Sequence, residues 1–183
     1  MKKLSPLLLV SVILFGVGCE PADPSDVELA QMTPEQTRLA IDQFMQEHPQ
    51  EQATPEKKEE MTQDMRDMIQ AGKVERVATL ETRTHDTKGE ARIVEKEDKR
   101  YLALSEDFEV DAGPYLVVLL STHPDSRDSK EVHAGEVVEL GKLMKTNGGQ
   151  LYEIPKGTNL SQFRTVVIYC KPFKVVFGAG RFQ

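Results

Sequence analysis

Two spacings of apolar residues divide the chain. Between residues 33 and 72 they recur at helical intervals, Leu39, Ala40, Phe44 and Met45 in a first stripe and Met61, Met65, Met68 and Ile69 in a second, so each set lines one face of a helix. Each stripe follows the same start signal, Thr33-Pro34-Glu35-Gln36 and then Thr54-Pro55-Glu56-Lys57. Threonine is a good N-cap, proline suits a first helical position whose N–H has no partner anyway, and Gln36 is placed to close a capping box. His48-Pro49 ends the first stripe and Gly72 the second, which predicts a helical hairpin over residues 33–72. A methionine stripe at this spacing reads as packing rather than as a set of soft metal ligands.

From Lys73 the period shortens. Val77, Thr79, Glu81 and Arg83 alternate, residues 85–89 carry turn chemistry, and residues 91–95 and 100–104 flank a polar hairpin loop, Lys96-Glu97-Asp98-Lys99. Residues 115–121 are almost continuously apolar, which suits a strand covered on both faces. Residues 122–131 form a polar loop long for a hairpin, and hence mobile or functional. Short strands at 137–140 and 151–154 flank Asn147-Gly148-Gly149. Turn residues at such close, regular spacing predict a mainly β domain over 73–183, an antiparallel sandwich or barrel-like fold, rather than alternating β and α units.

Charge sharpens the division. Residues 20–72 hold thirteen acidic against four basic side chains, net −9, whereas residues 73–183 hold seventeen of each. An acidic leader and a neutral domain argue against nucleic acid and against electrostatic attachment to anionic lipid. The first residues have a different character. Lys2 and Lys3 precede an apolar run at 7–17, shorter than the roughly 20 residues that span a bilayer, so residues 1–18 read as a signal peptide. Cys19 after Val17-Gly18 resembles a lipoprotein processing site, although Gly16 stands where a branched aliphatic residue is usual. Lipidation at Cys19 would place the protein at the outer membrane or cell surface, held through residues 19–32 as a tether.

The chemistry then narrows to one sulfur. The chain has two cysteines, and acylation of Cys19 would leave Cys170 as the sole thiol, unable to form an internal disulfide. Cys170 closes a strand signal, 165–170, in which Val166, Ile168 and Cys170 share one face and Val167 and Tyr169 the other; Pro172 then forces a turn. Two readings of Cys170 stay open: a small core hydrophobe, or a reactive thiol whose thiolate is favoured by Lys171 and Lys174. His85 is the possible thiolate partner if the fold brings its turn near, and a solvated loop histidine if it does not. No cofactor motif is evident: there is no Cys-x-x-Cys, no haem-attachment motif, no four-cysteine set and no Gly-x-Ser-x-Gly elbow. His85, His123, His133 and Met144 are copper-type ligands beside a cysteine, but no His or Met follows Cys170, so no metal site is expected.

The residues from about Val74 onward resemble the DM-thirteen domain of Skeletor-type proteins and bacterial lipoproteins. The resemblance rests on an ordered set: 85–94, KRYLALSEDFEV at 99–110, Gly113-Pro114-Tyr115-Leu116-Val117, 139–143, 147–155 and VVIYCKPFKVVFG at 166–178. Tyr115 stands where that family commonly has aspartate and Tyr169 where it commonly has tryptophan. The resemblance implies a β-rich secreted domain with a characteristic cysteine, here Cys170, in redox or electron-transfer chemistry with an unidentified partner. A non-catalytic surface module binding an extracellular ligand, with Cys170 merely packed, is the alternative.

Overall fold

Thr33 opens the first described helix with a reciprocal capping box. Its backbone N–H donates to Gln36 Oε1 at 2.8 Å while Gln36 N–H donates to Thr33 Oγ1 at 3.3 Å, so two orphan donors of the helix end are satisfied at once. The computed structural model describes residues 32–47 and 63–183. The predicted signal peptide, Cys19, all but Met32 of the predicted tether and the predicted second helix start at Thr54 lie outside them. Helix α1 is Pro34–Glu47 and α2 is Gln63–Ala71, which lies against strand β4 below. No described helix is long and apolar enough to cross a membrane.

The buried face of α1 is Thr37, Ile41 and Met45, rotated from the stripe that spacing suggests. Leu39 is 64% exposed. Two facts allow the rotation. Thr37 can be buried because its hydroxyl donates to Thr33 O at 3.0 Å, and Phe44 finds its own partner in Phe173, edge to face at 5.5 Å. Ile41 is fully buried within the main core of the β domain, so α1 packs onto that domain rather than standing apart as a spacer.

Eleven strands follow: β1 Lys73–Thr79, β2 Glu81–Thr82, β3 Thr87–Lys88, β4 Glu90–Lys96, β5 Lys99–Leu104, β6 Glu109–Val110, β7 Leu116–Ser121, β8 Val137–Lys142, β9 Gln150–Glu153, β10 Thr165–Cys170 and β11 Val175–Arg181. They form a four-stranded sheet β1-β4-β5-β9, a five-stranded sheet β2-β11-β10-β7-β8 and a small pair β3-β6. Every pairing is antiparallel. Both larger sheets keep free edges, so the fold is an open sandwich and not a closed barrel. The β4–β5 hairpin turns on Glu97 and Asp98, at φ 52° and 60°, the two left-handed residues that match a tight turn to the twist of its strands.

Strand periodicity explains the two layers. Val166, Ile168 and Cys170 of β10 face the four-stranded sheet, joining Leu116, Val118 and Leu120 of β7 with Ile93, Leu102 and Leu104 across the gap. Val167 and Tyr169 face the other way into a second cluster with Val117, Leu119, Val176 and Ala179. That outer layer is covered by the short helix α3, Ser129–Val132, through Val132. Burying a side chain of this size contributes about 1.5–3 kcal/mol, and two covered faces are why β7 and β10 carry almost no polar residue.

The polar loop at 122–131 is neither a mobile tip nor an open one. Its length is taken up by α3, capped by Asp128 accepting from Glu131 N–H at 2.8 Å. His123 Nδ1 accepts from the N–H groups of Asp125 and Ser126. Thr165 Oγ1 donates to His123 O, so Ser126 is the donor in its 2.7 Å bond to Thr165 Oγ1. Local side-chain bonds of this kind give the loop's backbone groups partners without a ladder.

Candidate functional site

Cys170 is the last residue of β10, between Leu116 of β7 and Val175 of β11. The strand end does not make it accessible: it is 0% exposed. The next four residues fold back as a turn in which Lys174 has φ 53°, and the loop before β7 brings Pro114 over the sulfur. Cys170 Sγ donates to Pro114 O at 3.2 Å, and the N–H of Phe173 points at the same sulfur. Burial pushes the thiol up to about 12, the Phe173 N–H opposing it only partly. At pH 7 the thiol is therefore held in its protonated form.

Of the two readings left open for Cys170, this geometry favours the packed thiol over the reactive one. Lys171 does not serve the sulfur; its Nζ reaches outward to Glu139 Oε2 at 3.0 Å and sits 5.7 Å from the centre of the Tyr115 ring. Lys174 is exposed. Neither contributes to the shift of the thiol.

His85 is not a solvated loop histidine either. It is 0% exposed and stacks on Phe177 with ring centroids 3.9 Å apart. Its Nδ1 lies 3.4 Å from Asp111 Oδ2, beyond a well-formed hydrogen bond, and both ring nitrogens are buried without a partner. Burial lowers its pKa, opposed first by Asp111 and then by Asp42 of α1. No hydrogen bond or ion pair joins His85 to Cys170 among the described residues, so the structure does not assemble them as an acid–base pair.

The other candidate ligands are spread apart. His123 holds its own loop, His133 Nδ1 lies 2.8 Å from Ser129 O, and Met144 is half exposed. Among the described residues no three of His, Cys, Asp and Glu gather as a metal site.

Sequence reasoning marked Tyr115 only as a departure from the family pattern and gave it no role. It is 48% exposed, has φ 45°, and lies between Lys142 and Lys171, whose ammonium groups are 5.5 and 5.7 Å from its ring centre. The Gly-Pro before it marks a turn, but nothing in the sequence marks the left-handed backbone. Tyr169, by contrast, sits in the outer layer with its hydroxyl 2.7 Å from Ser129 Oγ.

Fold and site together define an open antiparallel sandwich built around a sealed cysteine. The family model described as Electron transfer DM13 matches residues 79–182, more than half of the 183 residues, and the chain belongs to this family. Comparison with curated proteins and with solved structures gave no match.

Proposed function

We propose that this chain is an exported, lipid-tethered DM13 module that serves a surface electron-transfer system by recognition, with Cys170 as a structural thiol. The family supplies the electron-transfer setting. One observation carries the division of labour: Cys170 is fully buried, protonated and hydrogen-bonded to Pro114 O, so it offers neither a nucleophile nor a contact to a donor or acceptor. Outer-sphere electron transfer runs through a metal, haem, flavin or cluster, and in this reading that centre belongs to the partner or ligand.

Peptide mapping of thiol alkylation on the whole native chain tests it. Cys170 should stay unmodified by iodoacetamide at pH 7 while reacting fully in concentrated urea; rapid native modification would overturn the reading. The anchor is tested separately, since Cys19→Ser should release the protein from the membrane fraction.

A second reading keeps the thiol as the working group, exposed by opening of the turn at 171–174. Tyr115 and Lys174, both left-handed, bracket the cover of the sulfur, and strained backbone is where segments open. Hydrogen peroxide would then convert native Cys170 to sulfenic acid with release of water, which dimedone traps.

A further inference from the structure

Between the start of α1 and the sandwich lies a cleft of about 850 Å³, within the range of roughly 300–1,000 Å³ typical of small-molecule sites. We infer that this cleft binds an amphipathic organic anion, a carboxylate or sulfonate on an apolar body. The inference rests on the recognition reading above and names its ligand class.

The apolar side is built from two parts of the chain far apart in sequence. Met32 and Pro34 come from the entrance of α1, and Phe173, Val175 and Val176 from the turn after Cys170 and the start of β11. The polar side contains Arg83 and, from the edge of α3, Lys130. Most other polar groups there are already committed. Thr82 Oγ1 donates to Thr87 O, Ser129 Oγ bonds Tyr169, and Asp128 caps α3. Arg127 is held by Asp125 and Glu131.

Arg83 is the exception. Its Nη1 and Nη2 meet Glu81 and Asp125 at 3.0 and 3.4 Å, yet its Nε is buried with no partner. That unpartnered N–H belongs to a side chain of the cleft wall, whose guanidinium adds positive charge there. Lys130, which forms no ion pair with a described carboxylate, and Lys174 both bring positive charge to the cleft wall. A cationic ligand would meet Lys130 and a donor rather than an acceptor. A neutral apolar one would gain nothing from the charge of Lys130. An anion with an apolar body satisfies both sides of the cleft.

Calorimetric titration of the whole chain with 2-naphthoate, against neutral 2-naphthylmethanol, tests this. Naphthoate should bind at least tenfold more tightly than the alcohol. Lys130→Glu, an edge substitution checked by an unchanged melting curve, should weaken naphthoate at least fivefold and leave the alcohol unmoved. Arg83→Gln should erase the preference for the anion. No binding of naphthoate, equal binding of the alcohol, or indifference to Lys130→Glu would each overturn the inference. A silent titration beside a protected Cys170 removes the cleft ligand alone; a reactive Cys170 beside normal naphthoate binding removes only the structural reading of the thiol.

Discussion

The imidazole of His85 lies flat on the ring of Phe177, with planes 17° from parallel, and it is buried without a full hydrogen bond at either nitrogen. Asp111 faces it from the loop before β7, and Asp42 and Arg38 from α1. Burial outweighs the two carboxylates, so the pKa is lower in the folded chain than the ordinary 6.5. The stabilisation is therefore complete above pH 6.5 and is lost as pH falls from there through the lowered folded value, because the unfolded chain takes the proton first. Each unit of lowering weakens the fold by about 1.4 kcal/mol across that window. Urea denaturation between pH 8 and pH 5 should show the decline, and His85→Gln should flatten it.

Tyr115 should prove strained. A non-glycine residue in the left-handed region costs about 1–2 kcal/mol, offset here in part by two exposed lysine–ring contacts worth about 0.5–1 kcal/mol each. Tyr115→Ala loses the contacts and keeps the strain, whereas Tyr115→Gly loses both. The glycine variant should be more stable than the alanine variant by about 1 kcal/mol in urea denaturation; equal midpoints would contradict the account. The same backbone need makes tyrosine a costlier residue here than the aspartate common in the resembling family, since aspartate adopts that conformation more readily.

Gly113 has no room for a methyl group. A Cβ there would come to 2.5 Å from Phe177 Cζ, and Phe177, fully buried and stacked on His85, has little room to shift. Gly113→Ala should cost about 1–3 kcal/mol. Cys170→Ala leaves a small void and removes the bond to Pro114, for about 1–2 kcal/mol. Thermal melts of the two variants check both figures.

Docking of α1 can be separated from its intrinsic stability. Thr33→Ala breaks the capping box and should cost about 1 kcal/mol. Ile41→Ala removes a fully buried side chain and should cost about 2–5 kcal/mol. If Ile41→Ala proved as mild as a surface change in denaturation, α1 would not be seated on the sandwich.

The strands were legible because a period of two is rigid: alternation sorted Val166, Ile168 and Cys170 from Val167 and Tyr169 correctly, and the unbroken run in β7 announced two covered faces. Depth was not legible. The cover over Cys170 comes from Pro114, 56 positions away, and no local pattern reports what a distant loop lays on a strand end. The loop at 122–131 looked free because its residues are polar, yet its bonds run to Thr165, 39 and 42 positions on. In α1, Leu39 lost the inner face to Ile41, since the sheet beneath decides which side of a helix is buried.

Ile41 also separates the limits of the family from those of the folding unit. A fragment cut to residues 79–182 would lack the isoleucine that plugs the core and nearly all of β1, leaving the backbone of β4 unpaired along one side. Such an edge recruits other chains. The shortened domain should therefore aggregate more readily than a chain that keeps α1 and β1, whatever the isolated sequence match suggests about where to cut.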